Sequence, residues 1–189
     1  TFANQLHQDM LDYPYILAPQ CPSFWVDKFP LNGRYYYGER DYTADLLALI
    51  QDTLMKYQDI DPKRIYIVGG SMGGYQGLWL FSDAPDLFAA ALIACPAKLP
   101  DTEKLHHLKD KKIWLVHSEL DEVIPIENTL HLLEKVHNEQ STMPMFTLYK
   151  KVIVEGKTID PHCVFLPLYD NQLTSGRNSI FEWLSEQNL

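Results

Sequence analysis

Short apolar runs alternate with amphipathic stretches along the 189-residue chain, a pattern typical of a parallel sheet covered by helices. Apolar runs of strand length predict five strands: Tyr15–Ala18, Ile65–Val68, Ala89–Ala94, Ile113–His117 and Met145–Lys150. Nearly continuous β-branched and aromatic runs such as Ile65–Val68 are typical of parallel strands buried on both faces. The pattern therefore predicts an α/β fold.

Between these runs, apolar residues recur at helical spacing and predict the covering helices. The predicted helices are Tyr42–Tyr57, a segment from about Tyr75 to Ser82, one that opens at Pro125, and Ser179–Glu186. The fixed φ of Pro125 suits a first helical turn. The apolar stripe of the helix it opens is predicted to be Ile126, Leu130, Leu133 and Val136. No linker or low-complexity tract divides the chain, so residues 1–189 are predicted to form one domain.

One irregular region, Cys21–Arg40, is rich in proline, glycine and aromatic residues. It is long for a simple connection, and long loops in compact domains often carry function. A lid or pocket wall is one interpretation, and a surface loop held in place by its aromatic side chains is the other.

Composition narrows the classes of function. The net charge of −9 argues against a nucleic-acid or anionic-membrane surface, and no apolar run is long enough to span a membrane. The three cysteines, Cys21, Cys95 and Cys163, have no metal-ligand spacing and do not suggest a disulfide framework. This cysteine usage favours a reducing compartment, so a cytoplasmic location is expected.

The strongest candidate for chemistry is a serine among glycines. Residues Gly69–Gly73, with Ser71 at the centre, match the pattern G-x-S-x-G between a predicted strand and a predicted helix. A strand that turns sharply into a helix strains the middle residue, and small neighbours at 69 and 73 let the chain pass. The pattern favours a nucleophilic serine, the alternative being a glycine-rich turn in which Ser71 caps the helix.

A serine hydroxyl needs a base to remove its proton and a carboxylate to orient that base. Asp121 lies in the loop after the strand Ile113–His117, where Glu119 and Glu122 are competitors and a helix-capping role is the alternative. His162 follows the next strand, 41 residues beyond Asp121. The other histidines precede the serine, lie in predicted helices or, like His117, end a strand and shape the loop that carries Asp121.

Several segments together resemble the α/β-hydrolase esterases. They are Ala18–Pro22 with Trp25, Arg64–Gly74, His117 with Asp121 and Pro125, and His162 with Glu182–Leu184. More narrowly, the sequence is similar to the branch of predicted peptidases, phospholipase/carboxylesterases and feruloyl-type esterases, from about Tyr13 to Leu184. The resemblance implies an α/β-hydrolase fold in which Ser71 is the nucleophile, His162 the general base and acid, and Asp121 the orienting carboxylate.

The resemblance also predicts an oxyanion hole. The backbone N–H of Met72 would supply one donor, whereas the family's strand ending in His-Gly-x-Gly, which supplies another, has no counterpart in the sequence. We therefore expect the first strands of the fold to lie in residues that precede Thr1, the alternative being a reduced form of the fold.

The function expected at this point is a serine hydrolase that cleaves small-molecule carboxylic esters through an acyl-enzyme, with no metal or organic cofactor. Trp25 and Tyr75 are expected to border the substrate pocket. The alternatives are a peptidase or thioesterase with the same three residues, and a non-catalytic hydrolase-fold domain that binds a partner. The sequence makes no prediction of oligomeric state.

Overall fold

The computed structural model describes residues 9, 11–25, 28–31, 34–37, 41–139, 144–171, 174–175 and 178–189. Its strands are β1 (Lys28–Leu31), β2 (Arg34–Tyr37), β3 (Tyr66–Gly70), β4 (Ala90–Ala94), β5 (Lys112–Ser118), β6 (Met145–Tyr149), β7 (Ile153–Val154), β8 (Lys157–Thr158), β9 (Thr174–Ser175) and β10 (Asn178–Ser179). Its α-helices are α1 (Thr43–Lys56), α2 (Met72–Asp83), α3 (Thr102–Leu105), α4 (Glu127–Glu139), α5 (Phe165–Tyr169) and α6 (Ile180–Ser185). Two 3₁₀ segments, His106–Leu108 and Pro161–Val164, complete the described helical structure.

The centre of the fold is a four-stranded sheet in the order β3-β4-β5-β6. All three pairings are parallel, and the last residues of neighbouring strands lie opposite one another or nearly so: Gly70 faces Ala94, and Ser118 faces Tyr149. The loops that leave the four strands therefore emerge at one edge of the sheet, where open α/β sheets bind their ligands. Four of the five predicted strands are confirmed, each within one or two residues at either end.

Helices cover both faces of this sheet. One face packs on α5, α6 and the segment before them through Val164, Leu168, Ile180, Phe181 and Leu184. The other face packs on α1, α2, α3 and α4 through Leu46, Leu78, Phe81, Leu105, Leu132 and Val136. Strand β4 is buried on both faces, which explains why its sequence is apolar throughout.

The predicted strand Tyr15–Ala18 is wrong. These residues form an irregular segment outside the described sheets, and the side chains of Tyr15, Ile16 and Leu17 are about half exposed. The Tyr15 ring packs 4.9 Å from the Tyr57 ring, and its hydroxyl donates to Asp59. The apolar run therefore lies along the end of α1, a surface contact that periodicity alone does not distinguish from a short strand.

The stripe predicted for the helix after Pro125 is partly wrong. Helix α4 begins two residues later, at Glu127, and Leu130 is 45% exposed. The face that meets the sheet carries Thr129, Leu132 and Val136, all buried, at spacings of three and four residues. Leu132 lies in the middle of this buried face, where the prediction had placed Leu130.

The remaining predicted helices are confirmed with small shifts. Helix α1 matches its prediction within a residue, and α2 begins directly after Ser71 rather than near Tyr75. Ser179 caps α6 in a capping box with Glu182. No described helix is long and apolar enough to cross a membrane. All three cysteines are free thiols.

Within the irregular region Cys21–Arg40, the chain forms a hairpin in which β1 and β2 pair antiparallel, with Lys28 opposite Tyr37. The side chains of residues 26–40 lie outside the described part of the chain. The role of this region as a lid or pocket wall stays a prediction.

Candidate active site

Ser71 occupies a sharp turn between β3 and α2. Its backbone has φ 56° and ψ −120°, a conformation that costs a non-glycine residue about 1–3 kcal/mol. The turn is held by backbone hydrogen bonds: the Ser71 N–H donates to Ala94, and the Ser71 carbonyl accepts from Tyr75 and Ala97. The Ser71 side chain makes no capping bond to the helix, which disfavours the alternative of a capping serine.

Glycines permit this turn by close approach. A Cβ added to Gly69 would lie 2.4 Å from the carbonyl oxygen of Gly73, and one added to Gly70 would lie 2.8 Å from Phe165. A Cβ added to Gly73 would meet nothing within 4 Å. The sequence prediction that both Gly69 and Gly73 must be small therefore holds sterically for Gly69, whereas Gly73 contributes its backbone.

Asp121 lies in the loop that follows β5, and its side chain is fully buried. One carboxylate oxygen accepts from the backbone N–H groups of Val123 and Ile124, each at 2.9 Å. Burial raises the pKa of Asp121, but hydrogen bonds from His117, His162 and the Ile124 backbone outweigh it and hold this pKa well below its ordinary value. Asp121 is therefore ionised at neutral pH. The competing Glu119 and Glu122 are exposed.

His162 joins the other two residues. It lies in the 3₁₀ segment after β6, which Asp160 caps by accepting from the His162 N–H at 2.9 Å. Its Nδ1 lies 2.9 Å from Asp121 Oδ2, and its Nε2 lies 3.0 Å from Ser71 Oγ. Because an ionised carboxylate only accepts, Nδ1 must carry the proton, and neutral Nε2 is then able to accept from the serine hydroxyl.

Cys95, directly after β4, is a further group at this site. Its thiol donates to the His162 carbonyl at 3.6 Å, and atoms of Cys95, Asp121 and His162 lie within 4.8 Å of one another. Burial raises the pKa of Cys95 to about 12, so the thiol is protonated at neutral pH. A metal ion at these three residues would need the thiolate and would displace the His162–Asp121 hydrogen bond, so the donor set does not fit a resident metal.

Three other residues, Met72, Tyr75 and Trp25, were predicted to belong to the site. Met72 is the first residue of α2, directly after Ser71. Tyr75 is buried one turn further on, with its ring packed on Trp79. Trp25 packs edge-on against Tyr42 and against the apolar cluster on the α1 side of the sheet. No described contact joins Trp25 to Ser71, Asp121 or His162. The substrate-binding roles of Trp25 and Tyr75 and the oxyanion role of Met72 stay predictions.

Sequence reasoning missed two neighbours of the site. The Phe165 ring packs edge-on against the His162 ring at 6.0 Å and fills the space beside Gly70. Its signal was present: it follows His162 by three residues, the spacing of neighbours on one helical face. Thr129, on α4, bonds to His117, and no local motif marks it.

The chain is similar to known proteins over part or all of its length. A model of the prolyl oligopeptidase family matches residues 26–105, a range that contains the turn at Ser71 but neither Asp121 nor His162. The crystal structure of a thermostable esterase superposes on the whole chain with a TM-score of 0.79 and 33% sequence identity. The chain has the α/β-hydrolase fold. It spans about half of that esterase, covering 48% of its length.

A second solved structure is more distant. The acylaminoacyl peptidase of Pyrococcus horikoshii matches with a TM-score of 0.53 and 18% identity, over 58% of this chain and 23% of the peptidase. At that identity the likeness concerns the fold alone. No curated protein sequence matches the chain.

Proposed function

We propose that this α/β-hydrolase chain carries the catalytic residues of a serine hydrolase that cleaves small-molecule carboxylic esters. The observation that carries the proposal is the continuous hydrogen-bonded path from Ser71 Oγ through the two nitrogens of His162 to Asp121. A strained serine, a correctly oriented imidazole and a buried ionised carboxylate are the parts needed to make a hydroxyl nucleophilic. The 33% identity to a protein described as an esterase favours an ester substrate.

In the proposed reaction, Ser71 Oγ attacks the ester carbonyl carbon while His162 Nε2 takes the hydroxyl proton. The imidazolium that results is stabilised by Asp121. The tetrahedral oxyanion accepts a hydrogen bond from the Met72 N–H. As the intermediate collapses, His162 returns the proton to the leaving alcohol, and the acyl group stays on Ser71. Water then attacks the acyl-enzyme by the same route and releases the carboxylic acid.

Cleavage of peptide bonds is a second candidate, which the match to the prolyl oligopeptidase family favours. An amide needs the same nucleophile and base, but its leaving amine depends more strongly on protonation by His162. The two candidates therefore differ in substrate and share every residue named above.

The test is a panel of p-nitrophenyl esters from acetate to octanoate, a ferulate ester and aminoacyl p-nitroanilides, assayed with the wild-type chain and Ser71→Ala. Serine-dependent ester turnover that exceeds anilide turnover is expected. The reverse ratio would favour a peptidase. If a fluorophosphonate probe does not label Ser71 in the folded protein, both the esterase and the peptidase proposals are overturned, and a binding domain is favoured.

The variant must keep its fold for this comparison. Loss of one partly exposed hydroxyl removes little packing, so Ser71→Ala should melt within a few degrees of the wild type. Activity that survived the substitution would show that another residue is the nucleophile.

A further inference from the structure

Asp121 is contacted by a second histidine, which the proposed reaction does not use. His117, the penultimate residue of β5, is completely buried, and its Nε2 lies 3.4 Å from Asp121 Oδ2. The same nitrogen lies 3.1 Å from the carbonyl oxygen of Ile124, at the far end of the loop that carries Asp121. On the other side of the ring, Nδ1 lies 2.7 Å from the hydroxyl of Thr129 on α4.

These neighbours fix how the His117 ring is protonated. The two groups that face Nε2, a carboxylate and a carbonyl, only accept hydrogen bonds, so Nε2 must carry a proton. Thr129 is the only partner described for Nδ1, and a hydroxyl is able to donate to it. The neutral ring with its proton on Nε2 therefore satisfies every described contact, without a buried charge.

The position of Asp121 depends on these contacts. Its other carboxylate oxygen is bound by the backbone of Val123 and Ile124, and the Ile124 carbonyl is in turn bound by His117. The loop segment from Asp121 to Ile124 therefore contacts His117 at both of its ends. Strand β5 and helix α4 hold the His117 ring from two sides. The position of the Asp121 carboxylate is therefore fixed by the core of the protein and not by its loop alone.

Resting on the proposed function, we propose that His117 is a positioning residue: its Nε2–H fixes the carboxylate of Asp121 toward His162, and Thr129 fixes the His117 ring. The role is separate from catalysis, because His117 is buried behind Asp121 and does not face Ser71. Displacing a catalytic group by about 1 Å can cost about 100-fold in rate. Loss of the Nε2–H contact is therefore expected to lower kcat by about 10- to 100-fold with KM changed little.

The test uses a matched pair of variants. In His117→Gln the amide nitrogen replaces Nε2 and loses the Thr129 partner, whereas in His117→Asn the side chain reaches only the Nδ1 position. Both introduce an amide at the same buried site. The positioning role predicts that His117→Gln, like any variant without the Thr129 contact, loses kcat only several-fold, whereas His117→Asn loses about 10- to 100-fold. Thermal melting must show that the two variants are folded to the same extent. Equal losses in the two variants, or no loss in either, would overturn it.

Two further measurements keep the proposal falsifiable. Thr129→Val is nearly isosteric, and it should lower kcat several-fold while KM stays constant, even if neither His117 variant folds. The proton resonance of the His162 Nδ1–H bonded to Asp121 should shift in Thr129→Val and His117→Asn. An unchanged resonance in folded Thr129→Val would overturn the proposal. This spectrum needs no turnover. If the wild-type chain is inactive on every ester and anilide but the resonance still shifts in the two variants, the proposed function is refuted and the positioning role stands.

Discussion

Asp121 lies between two similar sets of groups, each an imidazole followed by a hydroxyl. On one side lies His162 and then the hydroxyl of Ser71, and on the other lies His117 and then the hydroxyl of Thr129. The hydroxyl–imidazole distances are similar, 3.0 Å and 2.7 Å. The two sides differ in exposure, because the His162 side chain is 16% exposed and that of His117 is fully buried.

Under the proposed function, His162 and Ser71 form the reacting side, and His117 and Thr129 form the supporting side. The two sides differ in burial and backbone conformation more than in their chemical groups. Ser71 projects from a strained turn at the edge of the sheet, where a substrate carbonyl is able to approach. Thr129 lies inside a regular helix packed on the sheet and is completely buried. Under the proposed function, a substrate is expected to reach the first hydroxyl and not the second, so only His162 would transfer a proton during turnover.

The largest expected effect comes from removing the charge that the two sides share. Asp121→Asn keeps the shape of the side chain but lets the amide donate to His162, which favours the wrong tautomer. A loss of about 10⁴-fold in kcat is expected, as in the serine protease triad. Steady-state ester hydrolysis measures it, with Asp160→Asn, a neighbouring acid that caps the His162 segment, as the control. A loss below tenfold would mean that Asp121 does not orient the base.

The reacting side alone should respond to the turn at Ser71. In Gly69→Ala the new methyl group would overlap the Gly73 carbonyl, so the turn must shift. A kcat loss of about 100-fold and a stability loss of about 1–3 kcal/mol are expected. Gly73→Ala is the matched control: its methyl group meets nothing, and the expected change is several-fold at most. Rate assays and denaturant unfolding compare the pair. Equal effects would mean that the close approach at Gly69 does not set the turn.

The supporting side should be visible in stability at acid pH. Because the pKa of Asp121 is lower in the folded chain than its ordinary value of 3.8, its ionisation stabilises the fold above that value. This contribution is lost as the pH falls from about 4 toward the folded pKa. The unfolding free energy of the wild type should therefore decline relative to Asp121→Asn below about pH 4. The decline should be shallower in His117→Asn, which lacks one of the bonds to the carboxylate.

Urea unfolding at half-unit steps from pH 7 to pH 2.5 measures this difference. Parallel profiles for wild type and Asp121→Asn would contradict the lowered pKa. A decline that is unchanged in His117→Asn would assign the stabilisation of the carboxylate to His162 and the backbone alone.

Much of this arrangement was accessible from the sequence, because it depends on local pattern. The four core strands follow from short apolar runs, and the turn at Ser71 follows from glycines placed between a strand and a helix. The order Ser71, Asp121, His162 narrowed the seven histidines to one. The segment at Tyr15 and the buried face of α4 were wrongly predicted because they depend on which surface a residue packs against. The contact of Thr129 with His117 joins a helix to a strand 12 residues away, and no spacing rule indicates it.

The smallest effect is expected at Cys95, the third side chain beside the carboxylate. Its thiol is buried and protonated at neutral pH, so it should not compete with Ser71 as a nucleophile. Iodoacetamide at pH 8 should leave ester hydrolysis unchanged, and Cys95→Ser should retain kcat within about fivefold, since one weak hydrogen bond is lost or replaced. Mass spectrometry should find Cys21, which is partly exposed, alkylated before Cys95, and all three thiols alkylated in urea. If iodoacetamide inactivates the wild type but not Cys95→Ser, a reactive thiol lies at this site beside the two imidazole–hydroxyl pairs.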